Sequence, residues 1–182
     1  MNTGVMKMKL GKIAVLFSVT LAILIAPLMV RAYVLEPYYW KNGVTGLTYK
    51  WGSNLQTSGT VIRTAFENAL SDWNGTPTPV WFSYSSSSSN TLNSYYVSDS
   101  SEYGVCNITY SGSEILRFTA MVNAGNINIG KSNVARSAAG HELGHGIGLD
   151  HSTATAIMNS NRDRTRIYTP QQDDINGVNA RY

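Results

Sequence analysis

Only one cysteine and three histidines occur in 182 residues, and just 14% of the chain is charged. One thiol cannot close an intramolecular disulfide or build a zinc site on several thiolates, so stability must come from a core or from ligands other than sulfur. An excess of one charge is also missing once position is considered. Lys7, Lys9, Lys12 and Arg31 fall in the first 32 residues, where no Asp or Glu occurs, leaving ten basic against eleven acidic side chains in the remainder. No broad basic surface is left to hold a phosphate backbone, so nucleic acid is excluded as an expected partner. There is no internal repeat, and the one low-complexity run, Ser85 to Ser89, reads as a solvated loop. With 43% hydrophobic residues the chain is too apolar for disorder, and its length suits a single core.

The first 32 residues have the three parts of a secretory signal. Lys7, Lys9 and Lys12 lead, Ile13 to Val30 is apolar, and Val30-Arg31-Ala32 offers short residues where a signal peptidase reads. Cleavage after Ala32 is expected, giving a secreted, extracellular domain over 33–182. The alternative is an uncleaved anchor, since the 18 residues from Ile13 to Val30 approach the roughly 20 that span a bilayer. Membrane contact is expected only through that leader.

Beyond it, Leu47 to Trp51 alternates like a strand, and apolar residues from Val61 to Trp73 recur at steps of three and four. These predict a strand and an amphipathic helix, the latter capped by Ser58. Val80 to Tyr84, Asn93 to Val97, Gly104 to Tyr110 and Ile115 to Val122 are further strand candidates, and Asn126 to Gly130 suggests a short edge strand. A helix is expected from about Asn133 and a closing one from Pro170 to about Ala180. The order implies an α+β fold.

All three histidines fall within His141-Glu142-Leu143-Gly144-His145-Gly146-Ile147-Gly148-Leu149-Asp150-His151. On a helix, His141 and His145 lie one turn apart and reach a common metal. Glu142 sits beside the first ligand without needing to bind, Gly148 lets the chain leave the helix through a positive φ, and His151 returns as third ligand. Three imidazoles leave one tetrahedral position of Zn²⁺ open, as in catalytic rather than structural sites. One catalytic zinc is therefore expected, with Glu142 as general base on zinc-bound water attacking a peptide carbonyl. Asp150 is a candidate partner for the His151 ring.

These residues resemble the extended zinc-binding motif of the metzincin endopeptidases, and Ala156-Ile157-Met158-Asn159 resembles the clan's Met-turn. Ser152 after the third ligand, and Thr169 to Val178 as the start of a last helix, are most similar to the small bacterial matrixins. The resemblance covers roughly Tyr33 to Tyr182 and is specific from about Ala138 onward. It implies a metzincin-like domain with a twisted, mostly parallel mixed sheet, two long helices and a small C-terminal subdomain holding the Met-turn and terminal helix. It also implies that Met158 is structural, packed under the imidazoles, and that Asp173 or Asp174 holds an N-terminal ammonium; the simpler role of that pair is to favour a helix start. Arg162, Arg164 and Arg166 occupy the stretch that walls the clan's primed-side pocket. A solvated loop is their simpler reading, and a preference for acidic or polar substrate side chains is the alternative. Tyr168 does not match the spacing of the clan's oxyanion tyrosine.

The family's cysteine-bearing propeptide has no counterpart in the 150 residues from Tyr33 to Tyr182. Cys106 lies in a strand-like run and reads as a buried, inert thiol. Calcium is possible but unassignable, because Asp99, Glu102 and Asp163 are scattered. The sequence thus predicts a secreted zinc endopeptidase, monomeric, acting on protein or peptide substrates aligned by an edge strand from the Ile115 to Ile129 region. Two alternatives remain: a non-catalytic zinc-containing peptide-binding module and a narrow-specificity zinc amidase.

Overall fold

The computed structural model describes residue 1, residues 32–98 and residues 101–182. The leader expectation for residues 1–32 therefore lies almost wholly outside the described residues, as does Asp99. In chain order the elements are β1 (Val34–Leu35), β2 (Leu47–Trp51), α1 (Val61–Asn74), β3 (Phe82–Tyr84), β4 (Thr91–Tyr95), β5 (Gly104–Ser111), β6 (Glu114–Asn123), α2 (Ser132–Gly146), β7 (Leu149–Asp150) and α3 (Gln172–Arg181).

Five strands form one sheet in the order β3-β2-β4-β6-β5. The pairs β2–β3, β2–β4 and β4–β6 are parallel, and β5 runs antiparallel to β6 at the sheet's edge. Among the described residues this is a mixed, mostly parallel sheet with three helices, compatible with the expected matrixin-like architecture. The order corrects one expectation. The segment from Ile115 is the interior strand β6, and among the described residues the edge beside it is β5, with β3 at the opposite edge. Residues 126–130 are not a strand either. Asn126 accepts the Asn128 N–H and winds Ile127–Gly130 into a 3-10 turn, a local bond that competes with strand pairing.

α1 forms where the periodicity predicts it and buries Ile62, Ala65, Phe66, Ala69, Leu70 and Trp73. Its cap is Thr60, whose hydroxyl accepts the Arg63 N–H at 3.3 Å, rather than Ser58. These side chains meet Leu92 of β4, Phe118, Ala120 and Val122 of β6, and Val134, Ala138, Ala139 and Leu143 of α2 in one core.

The serine run is not merely solvated. Ser88 and Asn90 are buried at its end. Asn90 donates to the Thr48 carbonyl (2.9 Å) and accepts the Phe118 N–H (3.0 Å), bridging β2 and β6 where the short strand β4 begins. α3 starts two residues later than expected: Gln171 caps it, Asp174 returns the bond to the Gln171 N–H, and Pro170 stays outside.

Candidate active site

α2 carries the first two histidines, and its own burial fixes their direction. Only four of its 15 residues (Ser132, Asn133, Arg136 and His145) are not buried. The Trp73 indole N–H of α1 donates to the Gly140 carbonyl at 2.9 Å, and Arg136 forks onto Asp72 of α1, so the two helices are locked one turn before the site. The helix then ends on demand. The Ile147 N–H closes back onto Leu143 and Gly144, and Gly148 turns at φ +87°. A β-carbon there would also stand 3.1 Å from the Tyr38 carbonyl, so glycine is required twice over. After this turn β7 pairs antiparallel with β1 and delivers His151 to the other two imidazoles.

The Nε2 atom of His141 stands 3.2 Å from Nε2 of His145 and 3.2 Å from Nε2 of His151. Tautomers follow from the partners. His141 Nδ1–H donates to the Ile157 carbonyl at 2.8 Å and His145 Nδ1–H to the Leu149 carbonyl at 2.9 Å. A carbonyl can only accept, so in the neutral rings each Nε2 carries a lone pair, and these lone pairs converge. Nitrogens about 2.0–2.1 Å from a tetrahedral Zn²⁺ lie roughly 3.3 Å apart, so the cluster fits a zinc ion. Among the described residues it is the one group of three or more His, Cys, Asp or Glu side chains close enough to share a metal. Burial, with neighbouring positive charge, pushes the His141 pKa well below its ordinary value and that of His145 down to about 4. Both are held neutral, the form that binds metal.

Glu142 is 5% exposed and lines a cavity of about 180 Å³ together with His141 and His151. Burial raises its pKa to about 8, against the pull of the Arg162 and Arg164 charges. No hydrogen bond engages its carboxylate among the described residues, and Gly104 of the edge strand β5 packs against it. A dication at the imidazoles would draw that pKa back down. Ligands and free carboxylate thus face one space.

Residues 124–182 match the family model described as Matrixin. Over that stretch the chain is matrixin-like. The match and the histidine cluster together support a zinc metalloprotease. No curated protein matches the chain.

The matrixin-like segment also packs against the helix that carries the first two histidines. Met158 is 2% exposed, and a β-carbon at Gly144 would fall 2.3 Å from its sulfur. The glycine in mid-helix therefore admits the methionine against α2 between the two ligands. Asp174 of α3 accepts the N–H groups of Ile157 (2.7 Å) and Met158 (3.1 Å) as well as that of Gln171. Sequence reading gave this carboxylate a helix-start or ammonium-binding role; its grip on the 157–158 turn has no local signal. Asp173 accepts from the Ser152 hydroxyl at 2.7 Å, and that hydroxyl stands 3.2 Å from the Ala32 carbonyl. Asp150 does not support the His151 ring; its carboxylate accepts the backbone N–H of His151.

The three arginines separate. Arg166 is exposed, as a solvated loop predicts, but Arg162 is buried and Arg164 half-buried in the wall beside Glu142. The Tyr168 ring lies under Arg136 at 5.1 Å. Glu102 accepts from the Tyr95 hydroxyl, and Asp163 accepts both the N–H and the hydroxyl of Thr165. Cys106 is half-buried rather than fully buried, and desolvation pushes its thiol well above its ordinary pKa, which keeps it protonated.

Proposed function

We propose that this chain is a secreted zinc-dependent endopeptidase. The observation that carries the reading is the convergence of three imidazole Nε2 atoms, with that of His141 3.2 Å from each of the other two, beside a buried carboxylate that shares a cavity with His141 and His151. His141, His145 and His151 would hold the zinc. When bound, that ion supplies a Lewis acid that polarises the scissile carbonyl and makes water a better nucleophile. Glu142 does the proton work: one carboxylate oxygen takes a proton from the attacking water and passes it to the leaving amide nitrogen as the C–N bond breaks. Burial favours this by raising the carboxylate's basicity.

Substrate would add as a further strand to the free edge of β5, which runs past Glu142 and presents unpaired backbone groups. Met158, fixed from below by Asp174, would serve as the hydrophobic base of the site, the part a Met-turn plays. Export would follow from the leader. A module that only binds peptides needs the histidines but gains nothing from a buried free carboxylate, which itself costs desolvation.

The test pairs zinc content with casein cleavage for the purified protein and its Glu142→Ala form. Both should hold about one zinc, and only the parent should cleave, with a drop of about 10²–10⁴-fold in the variant. Equal activity in the two forms would remove Glu142 from the mechanism. Zinc bound in both with no cleavage of a broad peptide library would leave peptide binding or a narrow amidase.

A further inference from the structure

The cavity beside Glu142 holds more positive charge than hydrolysis requires. Arg162 and Arg164 both line it, next to Tyr103, Gly104 and the ligand His141. Arg162 is 6% exposed, and its guanidinium meets only neutral acceptors: the Ser137 hydroxyl and carbonyl, each at 2.8 Å, and the Asn159 carbonyl at 3.0 Å. Its Nη1 also stands 3.3 Å from His141 Nδ1, but that nitrogen is already a donor to Ile157 and cannot accept. Arg164 lies over the Tyr103 ring at 3.9 Å and donates from Nη2 to the Ser160 carbonyl at 3.1 Å. Its Nε is buried with no acceptor.

Among the described residues neither guanidinium is ion-paired. Two partly desolvated cations side by side, bonded only to neutral groups, are costly to the fold, and a carboxylate is the partner that would offset the cost. Among the described residues the wall offers Glu142, but it makes no hydrogen bond to either guanidinium and carries the proton in the proposed reaction. Apart from Glu142, the wall's carboxylate is Glu102, which accepts from the Tyr95 hydroxyl. The opening of about 180 Å³ equals the liquid share of roughly six waters, room for one short side chain.

We infer that this cavity takes an Asp or Glu side chain of the substrate, from the residue immediately on the leaving-amine side of the cleaved bond. Arg164 is the specificity-determining residue, and Arg162 is a positioning residue that adds field from behind. The inference rests on the protease reading, and the side follows from it: Glu142 hands its proton to the leaving nitrogen, so a cavity walled by Glu142 lies on that nitrogen's side. The Tyr103 ring holds the Arg164 fork flat, and its unsatisfied donors suit a carboxylate better than an amide or an ammonium.

The experiment compares quenched fluorogenic peptides identical except for Glu, Gln, Leu or Lys directly after the cleaved bond. The parent protein should show a kcat/KM for Glu at least about tenfold above that for Gln, the isosteric amide. In Arg164→Met that ratio should fall to within about twofold, and Arg164→Lys, which keeps charge but not the fork, should lie between. A ratio discounts any general loss of activity or folding in the variants. A parent ratio near one, a parent preference for Leu, or an unchanged ratio in Arg164→Met overturns the inference. Should the parent cleave none of the peptides, the protease reading fails, and anisotropy of the labelled Glu and Gln peptides decides the pocket by itself. Tighter binding of the Glu peptide to the parent but not to Arg164→Met supports it, and equal binding overturns it.

Discussion

α1 and α2 are helices of 14 and 15 residues packed against each other, yet they are built on opposite plans. α1 has one apolar face and one wet face, with Arg63 and Glu67 paired one turn apart on its outer side. α2 is buried nearly all round, but by glycine, alanine, serine, histidine and glutamate rather than by large apolar residues. One helix is a source of stability. The other consumes it: three glycines, the His141 imidazole and a carboxylate are poor core material, and they stay inside because α1, the sheet and the segment after β7 enclose them.

That contrast can be broken from either side. The largest effect is expected from Phe66→Ala in α1. Phe66 is 0% exposed, and its removal should lower unfolding free energy by about 3–5 kcal/mol in a denaturant titration while the folded fraction keeps its zinc. Loss of zinc at full helical content would contradict the division of labour. Gly144→Ala in α2 should do the reverse. The added methyl would sit 2.3 Å from the Met158 sulfur, so overpacking should cost about 1–3 kcal/mol, and zinc affinity measured by competition with a chelating dye should fall more than stability does. A variant with parental zinc affinity would show that Met158 can move aside without disturbing His145.

The smallest effect is a dependence on pH in the metal-free protein. His141 and His145 have folded pKa values below that of an unfolded histidine near 6.5, so as pH falls below about 6.5 the unfolded chain binds protons that the folded chain refuses. Stability therefore drops toward pH 4. Glu142 works in the opposite sense. Its folded pKa of about 8 exceeds the ordinary 4.5, so its contribution is present at low pH and is lost as pH rises toward 8. Two histidines outweigh one carboxylate below pH 6.5, and the carboxylate acts alone above it. The melting temperature should thus peak near pH 6–7, with slopes on the order of 1 kcal/mol per pH unit. Glu142→Gln should abolish the alkaline decline and leave the acid one; a decline that persists in that variant would assign it to another group.

Much of the molecule was legible in its sequence for reasons these helices illustrate. α1 and β2 announce themselves because a half-buried element must alternate with the period of its own geometry. The histidine spacing was legible because metal geometry dictates it. Strand neighbours were not. Alternation in Ile115 to Val122 says that one face is covered but not which strands flank it, and β6 proved interior where an edge was expected. The tying roles of Asn90, Asp174 and Arg162 were hidden for a related reason, although Asp174 does favour the helix start as its position suggests. Each is a polar residue in a turn-like or charged stretch, and only contacts far along the chain, to Phe118, Met158 and Ser137, make it a buried tie.

Ile157 has its N–H on Asp174 and its carbonyl on the His141 ring. One peptide unit on either side of a single residue therefore connects the closing helix to the first imidazole. The consequence concerns the order of events. The local spacing of His141 and His145 exists as soon as α2 winds, but the proton that settles which His141 nitrogen is free waits for α3 to dock and present the Ile157 carbonyl. Tight metal capture would then depend on the docked closing helix as well as on the histidine motif, because Asp174 and His141 hold the two sides of Ile157.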